Sequence, residues 1–357
     1  MLRFLDAGES HGPGLTVILE GIPANLKISA DEINADLRLR QQGYGRGNRQ
    51  KIEKDTVKFL SGIRHGKTIG SPITIFIENK DFKNWAKLMS PFAEDKGGPA
   101  VTKLRPGHAD LAGTIKYDQA DLRNILERAS ARETATRVAI GAIAKKMLAM
   151  FKIKTDNKII SVGEVNVYSK DLTKEAKAAI DEVRKTGDSL GGIFEVSAKN
   201  VPVGLGSHVQ YDRKLDANIA LSLMSIQAIK AVEIGAGVKS SRRKGSELHD
   251  EIFYKKGKYL RGSNNAGGIE GGISNGEPIV ARAALKPIST LGKPLKTVDL
   301  RSKKAALAHV ERRDVCAIEA AAVIGEAALA FELAKELLIK FGGDSIEETL
   351  AHFEATQ

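Results

Sequence analysis

From about Ala317 to Phe341 the chain is built almost wholly of Ala, Leu, Ile and Glu, and it then meets Gly342-Gly343. That run predicts one long helix, because alanine and leucine favour the helix and paired glycines end it. So alanine-rich a helix packs closely on its neighbours, which points to a layered body in which helices lie against sheets. A second helix is predicted after Ser130, where Ala135, Val138, Ala139, Ala142, Ile143 and Met147 recur at helical spacing. The alternating runs 15–20, 72–78 and 279–285, punctuated by Gly and Pro, predict strands. Ser29 with Glu32 and Ser130 with Glu133 each match the S-x-x-E capping box, in which side chains satisfy the unpaired N–H groups that open a helix. With no Pro/Gly/Ser linker and no repeat of about 20–50 residues, the expectation is an α+β chain forming a single domain over 1–357.

A hydrophobic fraction of 42% and a charged fraction of 28% exclude a disordered chain. The first residues become charged before any apolar run develops, and no window approaches about 18 apolar residues, so a cytoplasmic protein without a membrane span is expected. The lone Cys316 can make neither an intrachain disulfide nor a thiolate metal site by itself, and reads as a small core residue. No metal-ligand spacing is present. The net charge of +11 implies anionic partners. Because the charge is spread along the chain and aromatic residues make up only 5%, small phosphates are favoured over nucleic acid.

Polar residues gather in Gly-rich stretches at 8–14, 43–48, 105–113, 262–276 and 286–292, which predict functional loops. The first sets Glu9, Ser10 and His11 between glycines, and the third joins Arg105, His108 and Asp110. Either histidine is of a type suited to proton transfer near neutral pH. Either loop taken alone reads more naturally as an ordinary turn, with His11 merely hydrogen-bonded or Asp110 capping the next segment; two such loops in one chain are harder to dismiss. Arg38, Arg40, Arg46 and Arg49 surround Gly43, Gly45 and Gly47, a plausible clamp for a multiply charged anion or else a solvated basic loop. Arg128 and Arg132 flank the second capping box, where helix-start N–H groups suit an anionic cofactor. Asp314, at the head of the long helix, reads more naturally as an N-cap than as a base. The run Gly267–Gly272 lacks the strand and helix context of a dinucleotide fold. From the residues alone the chain is an enzyme that holds a polyanion among Gly/Arg loops and offers two histidines; its reaction does not follow.

Eight motifs in order, GESHGPG at 8–14, RQQGYGRG at 40–47, RPGHAD at 105–110, RASARETA at 128–135, SIQAIKAVEIG at 225–235, NNAGGIEGGISNG at 264–276, KPIST at 286–290 and RRDVC at 312–316, resemble those of chorismate synthases. The resemblance implies a β-α-β sandwich with antiparallel sheets around a helical core, assembled as a homotetramer. It implies a lyase that removes phosphate from 5-enolpyruvylshikimate-3-phosphate by anti 1,4-elimination to give chorismate. The cofactor implied is reduced FMN, which lends an electron transiently without net redox change, and NADPH is a candidate reductant of that flavin. Carried over by residue, His11 assists phosphate departure, His108 protonates or stabilises the flavin, and Asp314 keeps the flavin able to accept the substrate hydrogen, with Ser10 and Ser130 supporting. Flavin contacts fall on Arg128, Ala129, Ser130, Gln227, Ala228, Gly271, Lys286, Pro287, Ile288, Ser289, Thr290 and Arg312, and substrate or NADP contacts on Arg40 and Arg46. Two positions depart from the family pattern: Arg313 adds a cation beside Asp314, and Ala231 replaces a commoner glycine, a change of packing. The alternative reading from another class is a basic nucleic-acid-binding protein without catalysis.

Overall fold

The computed structural model describes residues 1–47, 53–92, 94, 97–310 and 314–356. Two antiparallel sheets enclose a layer of helices. The first sheet orders its strands Arg3–Ala7, Gly14–Glu20, Ile73–Glu78 and Val57–Ser61. Alternation does the sorting in it: Leu15, Val17 and Leu19 pair with the strand of Ile73, Ile75 and Ile77, and all six side chains are buried on the inner face. The second sheet runs Ile229–Ile234, Ile279–Leu285, Gly192–Lys199, Lys154–Val162 and Val165–Ser169. Its inner face is set by Ile279, Ala281, Ala283 and Leu285 beside Phe194, Val196 and Ala198.

Between the sheets lie the helices Thr134–Met150 and Ile318–Phe341, flanked by Ala30–Gln41 and Leu215–Met224. Seventeen of the 24 residues of Ile318–Phe341 are buried, which is the signature of a helix surrounded by protein rather than one lying on a surface. Small residues make that possible. A Cβ on Gly141 would sit 2.7 Å from the Ala327 Cα and 2.8 Å from its carbonyl oxygen, so the two central helices cross nearly backbone to backbone. Gly325 likewise leaves room for the Phe194 ring of the second sheet, and Phe331 reaches the first sheet through an edge-on contact with Phe4 at 5.1 Å. One continuous hydrophobic cluster therefore joins both sheets and all four helices. Cys316 belongs to it, and burial pushes its thiol up to about 11. Among the described residues no helix is long and apolar enough to cross a membrane.

The predicted strands and long helices coincide with observed elements, but four local expectations change. Ser29 and Glu32 form the full capping box, with Glu32 N donating to Ser29 Oγ at 3.3 Å and Ser29 N to Glu32 Oε2 at 3.2 Å. Ser130 and Glu133 do not: Ser130 caps only a short 3₁₀ turn, because the Glu133 carboxylate is taken by Gln227 at 2.6 Å and Arg137 at 3.2 Å. Asp314 is no N-cap either, since the long helix opens at Ile318 after Ala317 without a side-chain cap. Asp110 begins its helix, Asp110–Tyr117, rather than capping it. Ala231, beside a register shift in its strand, is exposed and packs against no core.

The helix crossing yields a test. Alanine in place of glycine ordinarily favours a helix interior by about 1 kcal/mol, whereas forcing atoms into a filled contact costs about 1–3 kcal/mol. The neighbour of Gly141 is backbone, which cannot rotate away, so Gly141→Ala should be net destabilising in urea unfolding. A variant more stable than the parent would show that the helices do not cross this closely.

Candidate active site

The 8–14 loop leaves the first strand and re-enters the second, and its path is set from outside. Asn79 Nδ2 donates to the Glu9 and Gly12 carbonyls at 3.1 and 2.8 Å, while its Oδ1 accepts from Arg132 Nε at 2.9 Å. Arg132 Nη1 donates in turn to Asp55 Oδ2 at 2.8 Å, and the same oxygen receives Arg40 Nη1 at 3.4 Å. Arg40 also donates to Thr134 Oγ1 and the Ala131 carbonyl at 3.0 and 2.9 Å. Burial, with the neighbouring Arg132 and Arg46 cations, pushes its guanidinium down to about 10 against the pull of Asp55, still charged at neutral pH.

The loop so held presents His11 against Glu127. Imidazole Nδ1 lies 2.9 Å from Glu127 Oε1, Trp85 covers the ring at 3.9 Å between centroids, and Arg123 stands over Trp85 at 5.4 Å. The second histidine is built similarly. His108 Nδ1 is 2.5 Å from Asp110 Oδ1, and Asp110 also accepts from Arg105 Nε at 2.9 Å and Nη2 at 3.0 Å. Burial alone would raise the Asp110 carboxyl, but the hydrogen bonds from His108 and Arg105 and the guanidinium charge outweigh it and hold the group well below its ordinary range.

Two further loops close the wall. Ala228 adopts φ 68°, a left-handed conformation rare outside glycine, and its carbonyl accepts from Lys286 N at 2.9 Å. Lys286 Nζ reaches the Gly107 carbonyl at 2.5 Å and so ties the 286–290 segment to the His108 loop. Asp314 accepts from Gly47 N at 2.6 Å and pairs with Arg46 Nη1 at 3.3 Å, anchoring the arginine loop.

These segments enclose a cavity of about 830 Å³, large among sites for small molecules. It brings together Ser10, His11, Arg40, Arg46, His108, Ala129, Ser130, Gln227, Ala228, Lys286, Ile288, Ser289, Thr290 and Asp314. Three other expected residues are not part of its wall. Arg128 is exposed and pairs with Asp6 at 2.7 Å, Pro287 is exposed, and Gly271 lies on the exposed turn of a short hairpin. Arg312, Arg313 and Arg49 lie outside the described residues, and Arg38 is exposed on its helix. Asp55, Asn79, Trp85, Arg123 and Glu127 carry no motif in the sequence; of these only the single tryptophan bears a local signal, its rarity.

Among the described residues, seven lysines and arginines line the cavity against the three carboxylates of Glu53, Asp81 and Asp314. Arg132 Nη2, Arg123 Nε and Gln227 Oε1 are buried there without a partner among the described residues. The two guanidinium N–H groups are donors that complement anionic oxygens, while the Gln227 amide oxygen is an acceptor. An α+β sandwich with such a pocket and two carboxylate-held imidazoles defines an enzyme for an anionic substrate. The sequence profile of the chorismate synthase family matches residues 2–338. Chorismate synthase of Aquifex aeolicus is 54% identical over 99% of this chain and 96% of its own, and that of Geobacter sulfurreducens 53% over 99% and 98%. A chorismate synthase crystal structure superposes with a TM-score of 0.79 at 47% identity, covering 99% of this chain and 97% of that one. The chain belongs to the chorismate synthase family and is a carbon–oxygen lyase acting on phosphates. The nucleic-acid-binding alternative finds no support in these matches.

The depressed Asp110 carboxyl contributes stability that is complete above its ordinary value of 3.8 and is lost as pH falls below it toward the lower folded value. Removing one partner from so buried a cluster costs about 3–5 kcal/mol. Asp110→Asn should therefore unfold more easily at pH 7, with the difference from the parent narrowing below about pH 3.8. A constant difference across that range would show that the ion pairs are not its cause.

Proposed function

We propose that the cavity converts 5-enolpyruvylshikimate-3-phosphate to chorismate with reduced FMN bound beside the substrate. The observation that carries this reading is the pairing of a surplus of cations with two imidazoles, each held at Nδ1 by a carboxylate. Arg46 and Arg132 would grip phosphate and carboxylate groups, and Arg40 would hold Arg132's surroundings in place while contributing its own charge. His11 would give a proton to the departing phosphate, because its remaining ring atom, Nε2, is not the one bonded to Glu127.

The site fits a flavin. Ala129, Ser130, Gln227, Ala228, Lys286, Ile288, Ser289 and Thr290 would hold it, and the buried, unpartnered Gln227 Oε1 suits a ring N–H. Ala317, Ala320 and Ala321 at the start of the central helix leave a low wall against which a flat ring system can lie. When bound, reduced FMN supplies a transient electron to the substrate. His108, oriented by Asp110, would hold a proton near the flavin and Asp314 would maintain its hydrogen-accepting edge, with Ser10 and Ser130 as hydroxyl partners.

We also infer one domain, a cytoplasmic location and a homotetramer. The continuous core supports the first and the single buried thiol is in keeping with the second. For the third, Ile252, Phe253, Tyr254, Tyr259 and Leu260 are exposed together on one hairpin, and Arg261 at its end holds Glu270, next to Gly271, at 2.6 Å. A subunit seated there would meet Gly271.

Purified protein with reduced FMN and substrate under anaerobic conditions should form chorismate, followed by its absorbance; flavin binding without turnover would refute the reaction. His11→Ala and His108→Ala should each lower turnover by about 10²-fold or more, with the parent's circular dichroism retained. NADPH in place of prior reduction should support turnover only if the chain reduces its own flavin.

Asp314 now has two duties to separate. Asp314→Asn keeps an acceptor for Gly47 N but cannot take a proton, so it should bind flavin and lose turnover. Activity equal to the parent would limit Asp314 to holding the arginine loop.

A further inference from the structure

His11 is oriented by a residue 116 positions away rather than by its own loop. Its Nδ1 faces both oxygens of Glu127, at 2.9 and 3.1 Å, and its backbone N–H donates to Glu127 Oε2 at 2.7 Å. The helix that carries Glu127 also receives Ser10 N at the Glu127 carbonyl, at 3.0 Å. One residue thus holds the histidine by backbone, ring and neighbour at once. Glu127 is 3% exposed, with the Arg123 guanidinium 3.7 Å from its carboxylate, and Trp85 closes the imidazole face.

An ionised carboxylate only accepts hydrogen bonds, so a ring nitrogen facing it carries the proton. We propose that Glu127 is the positioning residue of His11, fixing the Nδ1–H tautomer so that Nε2 is the atom that exchanges a proton with the leaving phosphate. This rests on the proton-donor role proposed above. As the carbon–oxygen bond to phosphate breaks, its electron pair stays on the phosphate oxygen and Nε2–H passes its proton there. The imidazole is left neutral, with Nδ1–H still on Glu127. The carboxylate stays ionised throughout, as in a hydrolase triad, where replacing the acid by an amide keeps the geometry but selects the wrong tautomer.

Glu127→Gln is nearly isosteric, and its amide can turn an N–H toward the ring. It should lower kcat by about 10²-fold or more with KM little changed, since ground-state binding of the anion does not pass through Nδ1. Nitrogen-15 histidine spectra, with the His11 signals assigned by their loss in His11→Ala, should show Nδ1–H in neutral His11 of the parent and a shift toward Nε2–H in Glu127→Gln. A variant with the parent's kcat, or one that loses turnover while keeping the Nδ1–H tautomer, would overturn the proposal. Should Glu127→Gln not fold, an Nε2–H tautomer in the parent would overturn it, and Nδ1–H would support it. Full activity in His11→Ala with the tautomer locked in the parent would instead remove the proton-donor reading itself.

Discussion

Asp55 sits with no exposed side-chain surface between the Arg132 and Arg40 guanidinium groups, and the active-site wall hangs from it. Two cations and one anion buried together are stable only while every partner stays in place. Through Arg132 the constraint passes to Asn79 and from Asn79 to three carbonyls of the 8–14 loop. Through Arg40 it passes to Ala131 and Thr134, where the helix 134–150 begins. The first sheet, the helix layer and the histidine loop are therefore registered to one another by a single carboxylate. The surplus of positive charge around it both needs Asp55 and exceeds it, leaving Arg132 Nη2 buried without a hydrogen-bond partner among the described residues.

The two histidines reach the same chemical arrangement by different routes. His108 finds its carboxylate two residues on, inside a tight turn stiffened by Arg105. His11 finds its own only when helix and loop dock. In both, the acid is more buried than the ring, so the imidazole meets the cavity with one nitrogen committed to protein and the other left for a ligand.

Room for that ligand depends on small side chains. The central helices approach closely at Gly141 and Ala327, which draws the sheets together. Where the long helix opens, Ala317, Ala320 and Ala321 instead leave the wall low and the cavity wide. The same alanine-rich composition thus packs the core at one end and hollows the site at the other.

Strands and long helices were legible because their signals are local: alternation in Leu15–Leu19 and the near-continuous apolar run after Ala317 repeat within a few residues. Family motifs likewise pointed to most of the residues that line the cavity. What they did not carry was pairing across distance. Glu133 forms no capping box because Gln227, remote in sequence, takes its carboxylate, and Asp314 is no cap because the 45–47 loop folds onto it. Glu127 and Asp55 were invisible for the same reason: a lone acid in a helix or loop has no local mark of its partner. The amino-acid pattern by itself determined the elements, their inward faces and the stock of cations and imidazoles, since each depends on near neighbours. Beyond the local turn of Arg105, His108 and Asp110, only tertiary structure decided which carboxylate meets which ring or guanidinium, because those contacts join residues tens to hundreds of positions apart and exist only once the layers have packed.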